Sequence, residues 1–140
     1  MKRLLGYGII LMIFLFSCGK KDSSPDVDGS RLNGKWHLVS DSSFAGVGLG
    51  NHAVNYTGRA GDYFDFRPGG HLLIKENGTS AIVNYTVTSD TMVTIDSFLG
   101  PDGSPETCYI TALAANNIII HSPIYLTPGG TFGRKVHLTK

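Results

Sequence analysis

Five histidines, His37, His52, His71, His121 and His137, are the first residues whose chemistry could define a site. Metal ligands need spacings that bring them onto one face, and neither a His-x-His nor a His-x3-His pair occurs. By alternation, His37, His71, His121 and His137 fall opposite the apolar positions of their segments, which points them to solvent. Asp62 and Asp65 lie three apart in an extended segment, so they face opposite sides and are not placed for joint acid–base work. Ser42, Ser43 and Ser80 sit in no Gly-x-Ser-x-Gly elbow. The run Gly46-Val47-Gly48-Leu49-Gly50 is glycine-rich, but no strand–turn–helix unit follows to make it a phosphate cradle. These residues predict no catalytic site, no metal and no cofactor, hence a protein that is not an enzyme.

The most definite chemistry lies at the start of the chain. Lys2 and Arg3 precede an apolar run over 4–16, which stops at Leu15-Phe16-Ser17-Cys18 and gives way to a polar GKKDSSPD stretch. The run is too short for a mature membrane-spanning helix, which needs about 20 residues, and has the layout of a secretory signal. A small residue directly before a cysteine at the end of such a run resembles the lipobox of bacterial lipoproteins. The resemblance implies removal of 1–17, lipidation of Cys18 and a membrane partner held through the lipid. Several acyl chains make such an attachment lasting, since each buried CH2 adds about 0.8 kcal/mol and one chain alone holds only marginally. Gly19, where an Asp would favour the inner membrane, implies the outer membrane. Lipidation of Cys18 leaves Cys108 as the odd cysteine, and its setting in Thr107-Cys108-Tyr109-Ile110 reads as a strand with a packed thiol.

The elements behind that address follow from composition and periodicity. At 140 residues, 41% hydrophobic and 16% charged, the chain suits one small globular domain. Without Lys2 and Arg3 the 12 basic residues fall to 10, against 11 acidic ones. That balance argues against nucleic acid, which calls for a concentrated basic face. Residues 18–31 are rich in Ser, Asp, Lys and Gly and predict a flexible tether, with the body at 32–140.

In the body, apolar residues recur with period two between turn signals. Segments 35–40, 62–67, 71–75, 81–87, 92–95, 107–114, 118–122 and 135–139 read as strands, with a weak one at 53–56. Trp36 and Leu38, Phe64 and Phe66, Leu72 and Ile74, Val93 and Ile95, and Val136 and Leu138 are the expected inward pairs. Pro68-Gly69-Gly70 and Asn77-Gly78 mark turns, the second being the strongest short hairpin signal. Sequential hairpins predict an all-β fold, a small antiparallel up-and-down β-barrel of about eight strands, closed so that no edge is left open.

Leu32-Asn33-Gly34-Lys35-Trp36 opens the first strand. A Gly-x-Trp at that point resembles the lipocalin signature, and the chain over 32–140 is similar to the lipocalin-like domains of small Bacteroidetes lipoproteins. The resemblance implies that Trp36 packs across the closed end of the barrel. Two long segments, 44–61 and 123–133, would surround one end. There Leu49, Tyr56, Tyr125 and Phe132 are candidates for an apolar mouth that takes a small hydrophobic ligand. The alternative is a non-enzymatic structural or protein-interaction lipoprotein whose small barrel is filled by its own side chains, such as Phe64, Phe66, Leu72, Ile74, Tyr85 and Ile95.

Overall fold

The computed structural model describes residues 29–44, 54–100 and 102–140. Cys18, the expected signal and most of the expected tether lie outside the described residues, as do Leu49, His52 and the run 46–50. Gly29–Arg31, the last residues of that tether, form a 3-10 turn, and Arg31 Nη2 donates to the Leu113 carbonyl at 3.0 Å. Among the described residues there is no α-helix, and none is long and apolar enough to cross a membrane.

Ten strands follow: β1 (Gly34–Phe44), β2 (Tyr56–Thr57), β3 (Tyr63–Arg67), β4 (His71–Glu76), β5 (Thr79–Ser89), β6 (Met92–Asp96), β7 (Pro105–Ala114), β8 (Asn117–His121), β9 (Tyr125–Thr127) and β10 (Gly130–Thr139). Eight of them, β1-β3-β4-β5-β6-β7-β8-β10, pair antiparallel in that order, and β10 returns to β1 to close the barrel. The short strands β2 and β9 extend β1 and β10 at one end. Local chemistry explains the hairpins. Asn77 and Gly78 both have positive φ, 48° and 81°, and form the two-residue loop between paired Glu76 and Thr79. The strands fall close to the expected ones: β1, β4, β5, β6, β7 and β10 are longer, β3 begins one residue later, β8 is shifted back by one and the weak strand is Tyr56–Thr57, while 123–133 is not a plain loop. Tyr125–Thr127 pairs with Gly130–Phe132 across Pro128-Gly129, so the segment is a hairpin that lengthens β10.

Period-two patterning holds almost throughout. Along β5, Tyr85 is buried and Ala81, Val83 and Val87 are partly covered, whereas Ile82, Asn84 and Thr86 are exposed. It fails usefully in β1. The register with β10 steps from Leu38 to Ser40 while the partner steps from Leu138 to His137, which makes Val39 an extra residue in a β-bulge. Trp36 and Leu38 face inward before the bulge, and Asp41 and Ser43 are buried after it. Gly58 seats the neighbouring loop on this bulge. Its N–H donates to Val39 O at 3.0 Å, and a Cβ there would lie 2.0 Å from Leu38 O.

The two ends of the barrel differ. At the first, Trp36 is fully buried, its indole N–H donates to Leu32 O at 2.6 Å, and Lys140 Nζ lies 4.3 Å from its ring centre. Phe66 and Tyr85 meet edge to face at 5.2 Å, and the Tyr85 hydroxyl donates to Arg67 O or Asn33 Oδ1. The middle is filled by Phe64, Leu72, Ile74, Val93, Ile95, Ile118, Ile120, Val136 and Leu138, each almost wholly buried. Packed at interior density, such a cluster supplies the main drive for folding.

Candidate functional site

The second end of the barrel carries the polar chemistry. Alternation along β10 points Leu138, Val136 and then Arg134 inward, and the Arg134 side chain is fully buried. Its Nε donates to Asp41 Oδ2 at 2.7 Å, Nη2 to Glu76 Oε2 at 2.8 Å and Nη1 to the Phe98 carbonyl at 2.9 Å. The guanidinium carbon lies 5.0 Å from the Phe98 ring and 5.8 Å from that of Phe64. Burial alone would lower the Arg134 pKa. The adjacent carboxylates of Asp41 and Glu76 outweigh that and hold it above the ordinary value. The group is an enclosed, charge-assisted network across the barrel, suited to a structural role.

A second network sits beside it. Buried Asp62 accepts the Tyr56 hydroxyl at 2.5 Å, the Arg59 N–H at 2.8 Å and the Asn77 N–H at 3.1 Å. It joins the loop after β2 to the β4–β5 turn. Burial first, and then the bond to Asp62, raise the Tyr56 hydroxyl above its usual pKa.

Above this end the chain forms a cleft of about 420 Å³, lined by Leu99, Gly100, Asp102, Ser104, Glu106, Tyr125 and Phe132. Its geometry follows from the strands. Phe132 lies one inward position beyond Arg134 on β10, and Glu106 one beyond Cys108 on β7. Tyr125 and Phe132 are directly paired across the β9–β10 hairpin, so their rings share one face of it. The Tyr125 hydroxyl donates to Glu106 Oε1 at 2.6 Å, tying the hairpin to β7, and this bond raises the Tyr125 pKa. Leu99 and Gly100 come from the β6–β7 connection, which Phe98 anchors in the core. The size lies within the range of about 300–1,000 Å³ usual for small-ligand sites. A smaller groove of about 250 Å³ runs along the other side of the hairpin stem, lined by Thr111, His121, Ser122, Ile124, Arg134 and Lys135.

Of the four residues expected at an apolar mouth, the structure brings Tyr125 and Phe132 together. Tyr56 is buried in β2 with its hydroxyl on Asp62, and Leu49 lies outside the described residues. Leu99, Asp102, Ser104 and Glu106 were not singled out from sequence, nor was the Arg134 network. The remaining chemistry-bearing residues are dispersed. His37 and His71 are exposed, His121 and His137 are half-buried on outer positions, and Asp65 pairs with Arg67 on the surface. Among the described residues no three His, Cys, Asp or Glu side chains gather to hold a metal. Cys108 is a free, buried thiol whose pKa burial pushes well up. Set against protein-family models, curated proteins and solved structures, the chain matches none.

Proposed function

We propose that this chain is a lipid-anchored, non-enzymatic binding protein, a lipocalin-like barrel that holds a small apolar ligand at its rim instead of in its lumen. The observation that carries the reading is the cleft itself, with the Tyr125–Phe132 pair on one wall and Leu99 from the β6–β7 connection on another. The lumen favours the rim because its inward positions are taken up by aromatic and aliphatic side chains and, at the cleft end, by Arg134, Asp41 and Glu76. Fold alone carries no function, and the site is what supports this one.

The lipid anchor rests on the lipobox-like Leu15-Phe16-Ser17-Cys18. The chain enters the barrel at the Trp36 end, where Arg31 meets Leu113 and Gly29 lies against Val87. An anchor on Cys18 would attach there and leave the cleft at the far end, turned away from the membrane. The second reading, a filled barrel that works through its surface, draws on Ile124 and Leu126, which are 62% and 85% exposed on the same hairpin.

Two experiments test the proposal. Cys18→Ala is expected to move the protein from the membrane to the soluble fraction. Unchanged fractionation would remove the anchor. Phe132→Ala is expected to weaken binding of an aromatic probe such as 2-phenylethanol at least fivefold with the fold intact. Equal binding by both proteins would shift the reading to the surface-interaction alternative.

A further inference from the structure

The rim cleft is one-sided in charge. Asp102 and Glu106 contribute carboxylates to its lining, and none of the lining residues is Lys, Arg or His. Asp102 accepts the Ser104 N–H at 3.2 Å and the Ser104 hydroxyl at 2.9 Å, and these bonds hold its carboxyl below the usual carboxylate range. It is therefore ionised at neutral pH. Glu106 accepts the Tyr125 hydroxyl on Oε1, and both residues line the cleft. Among the described residues neither carboxylate has a cationic partner. The buried acids beneath differ in this respect, because Asp41 and Glu76 are both matched by Arg134. Of the other basic groups at this end, Arg59 bonds Asn77 beside the Asp62 network, and His121 and Lys135 line the smaller groove.

We infer that the cleft takes an organic cation, an ammonium group carried on an apolar body of about the size of one aromatic ring. The inference rests on the rim cleft being the ligand site. The apolar body lies between Phe132, Tyr125 and Leu99, where its water-exposed surface is removed. The ammonium group reaches Glu106 and Asp102, and the electron-rich ring faces of Tyr125 and Phe132 favour a cation beside them. A neutral ligand of the same shape gains only the first of these contributions. An anion is opposed by both carboxylates. The half-open position keeps the carboxylates hydrated when empty, so an unmatched pair is tolerable here although it would be costly in the dry interior.

The test uses the full chain in zwitterionic lipid nanodiscs, read against empty nanodiscs, with three probes of one shape: phenethylammonium, 2-phenylethanol and phenylacetate. Calorimetry gives affinity, and the Leu99 methyl signals in NMR report the cleft. Phenethylammonium is expected to bind at least tenfold tighter than 2-phenylethanol at low salt, with phenylacetate weakest and the margin shrinking as salt is added. Glu106→Gln preserves an acceptor for Tyr125 and is expected to cut the margin below threefold. Asp102→Asn changes only an exposed side chain and is expected to reduce it by at least threefold, so the inference stays testable if Glu106→Gln folds poorly. Equal binding of 2-phenylethanol with shifted Leu99 signals overturns the cation and leaves the rim site standing. If no probe shifts the Leu99 signals, both fall.

Discussion

Arg134→Met removes the guanidinium that bonds both buried acids of the network, Asp41 and Glu76. Asp41 and Glu76 are at most 1% exposed in their side chains, so bulk water does not reach them in the native fold. Three charge-assisted bonds, to Asp41, Glu76 and the Phe98 carbonyl, are lost together. Removing one partner of a buried ion pair costs about 3–5 kcal/mol. A small domain is stable by only about 5–15 kcal/mol, so the loss runs from about a fifth of the total to all of it. The melting temperature is expected to fall on the order of 10–20 °C. Urea unfolding followed by the fluorescence of Trp36, the single tryptophan and fully buried, measures it directly. The triple variant Arg134→Met, Asp41→Leu, Glu76→Leu removes the acids as well and is expected to recover most of the loss, since apolar residues of similar volume often replace such groups without penalty. A loss below about 1 kcal/mol in Arg134→Met would refute the reasoning, because it would mean that the network is hydrated in solution.

Gly58→Ala forces a Cβ against the Leu38 carbonyl, which is backbone and cannot swing aside. It is expected to cost at least about 2 kcal/mol in urea unfolding, the scale of overpacking strain. Tyr56→Phe deletes the bond to Asp62 and is expected to cost about 1–3 kcal/mol at pH 8. Because the folded-state pKa of Tyr56 is raised, the stability it adds is fully present below the unfolded value of about 10 and is lost as pH rises from there through the folded pKa. The gap between Tyr56→Phe and the parent is therefore expected to narrow in unfolding curves above pH 10. Cys108 is expected to resist a thiol-specific reagent in the native protein and to react fully in urea, since burial both hides it and disfavours its thiolate. Fast native labelling would show that β7 opens readily.

The barrel was legible because its inward positions recur with period two and its turns carry their own chemistry. Asn77-Gly78 gives a tight hairpin, and Trp36, Phe64, Leu72 and Ile95 announce a common inner face. The polar end was hidden for three separate reasons. The bulge at Val39 reverses the alternation, so Asp41 turns inward where simple counting from Trp36 sends it out. Glu76 reads as part of a turn beside Asn77-Gly78, yet it is the last inward residue of β4. Arg134 lies two residues before Val136, in a stretch that reads as a loop until the β9–β10 pairing extends the strand through it. For the cleft, Tyr125 and Phe132 stood out as aromatic residues in a long segment. Glu106 and Leu99 did not, because their position depends on how β7 and the connection before it meet the hairpin, a long-range contact with no local signal.

The site of ligand contact is tested most directly by intermolecular NOEs from 2-phenylethanol, a neutral probe, saturating the full chain. A filled barrel with its site at the rim predicts contacts from the probe ring to the Leu99 methyls and the Phe132 and Tyr125 rings. Contacts to Ile74, Ile95 or Ile118, deep in the barrel, would contradict it and return the ligand to the lumen.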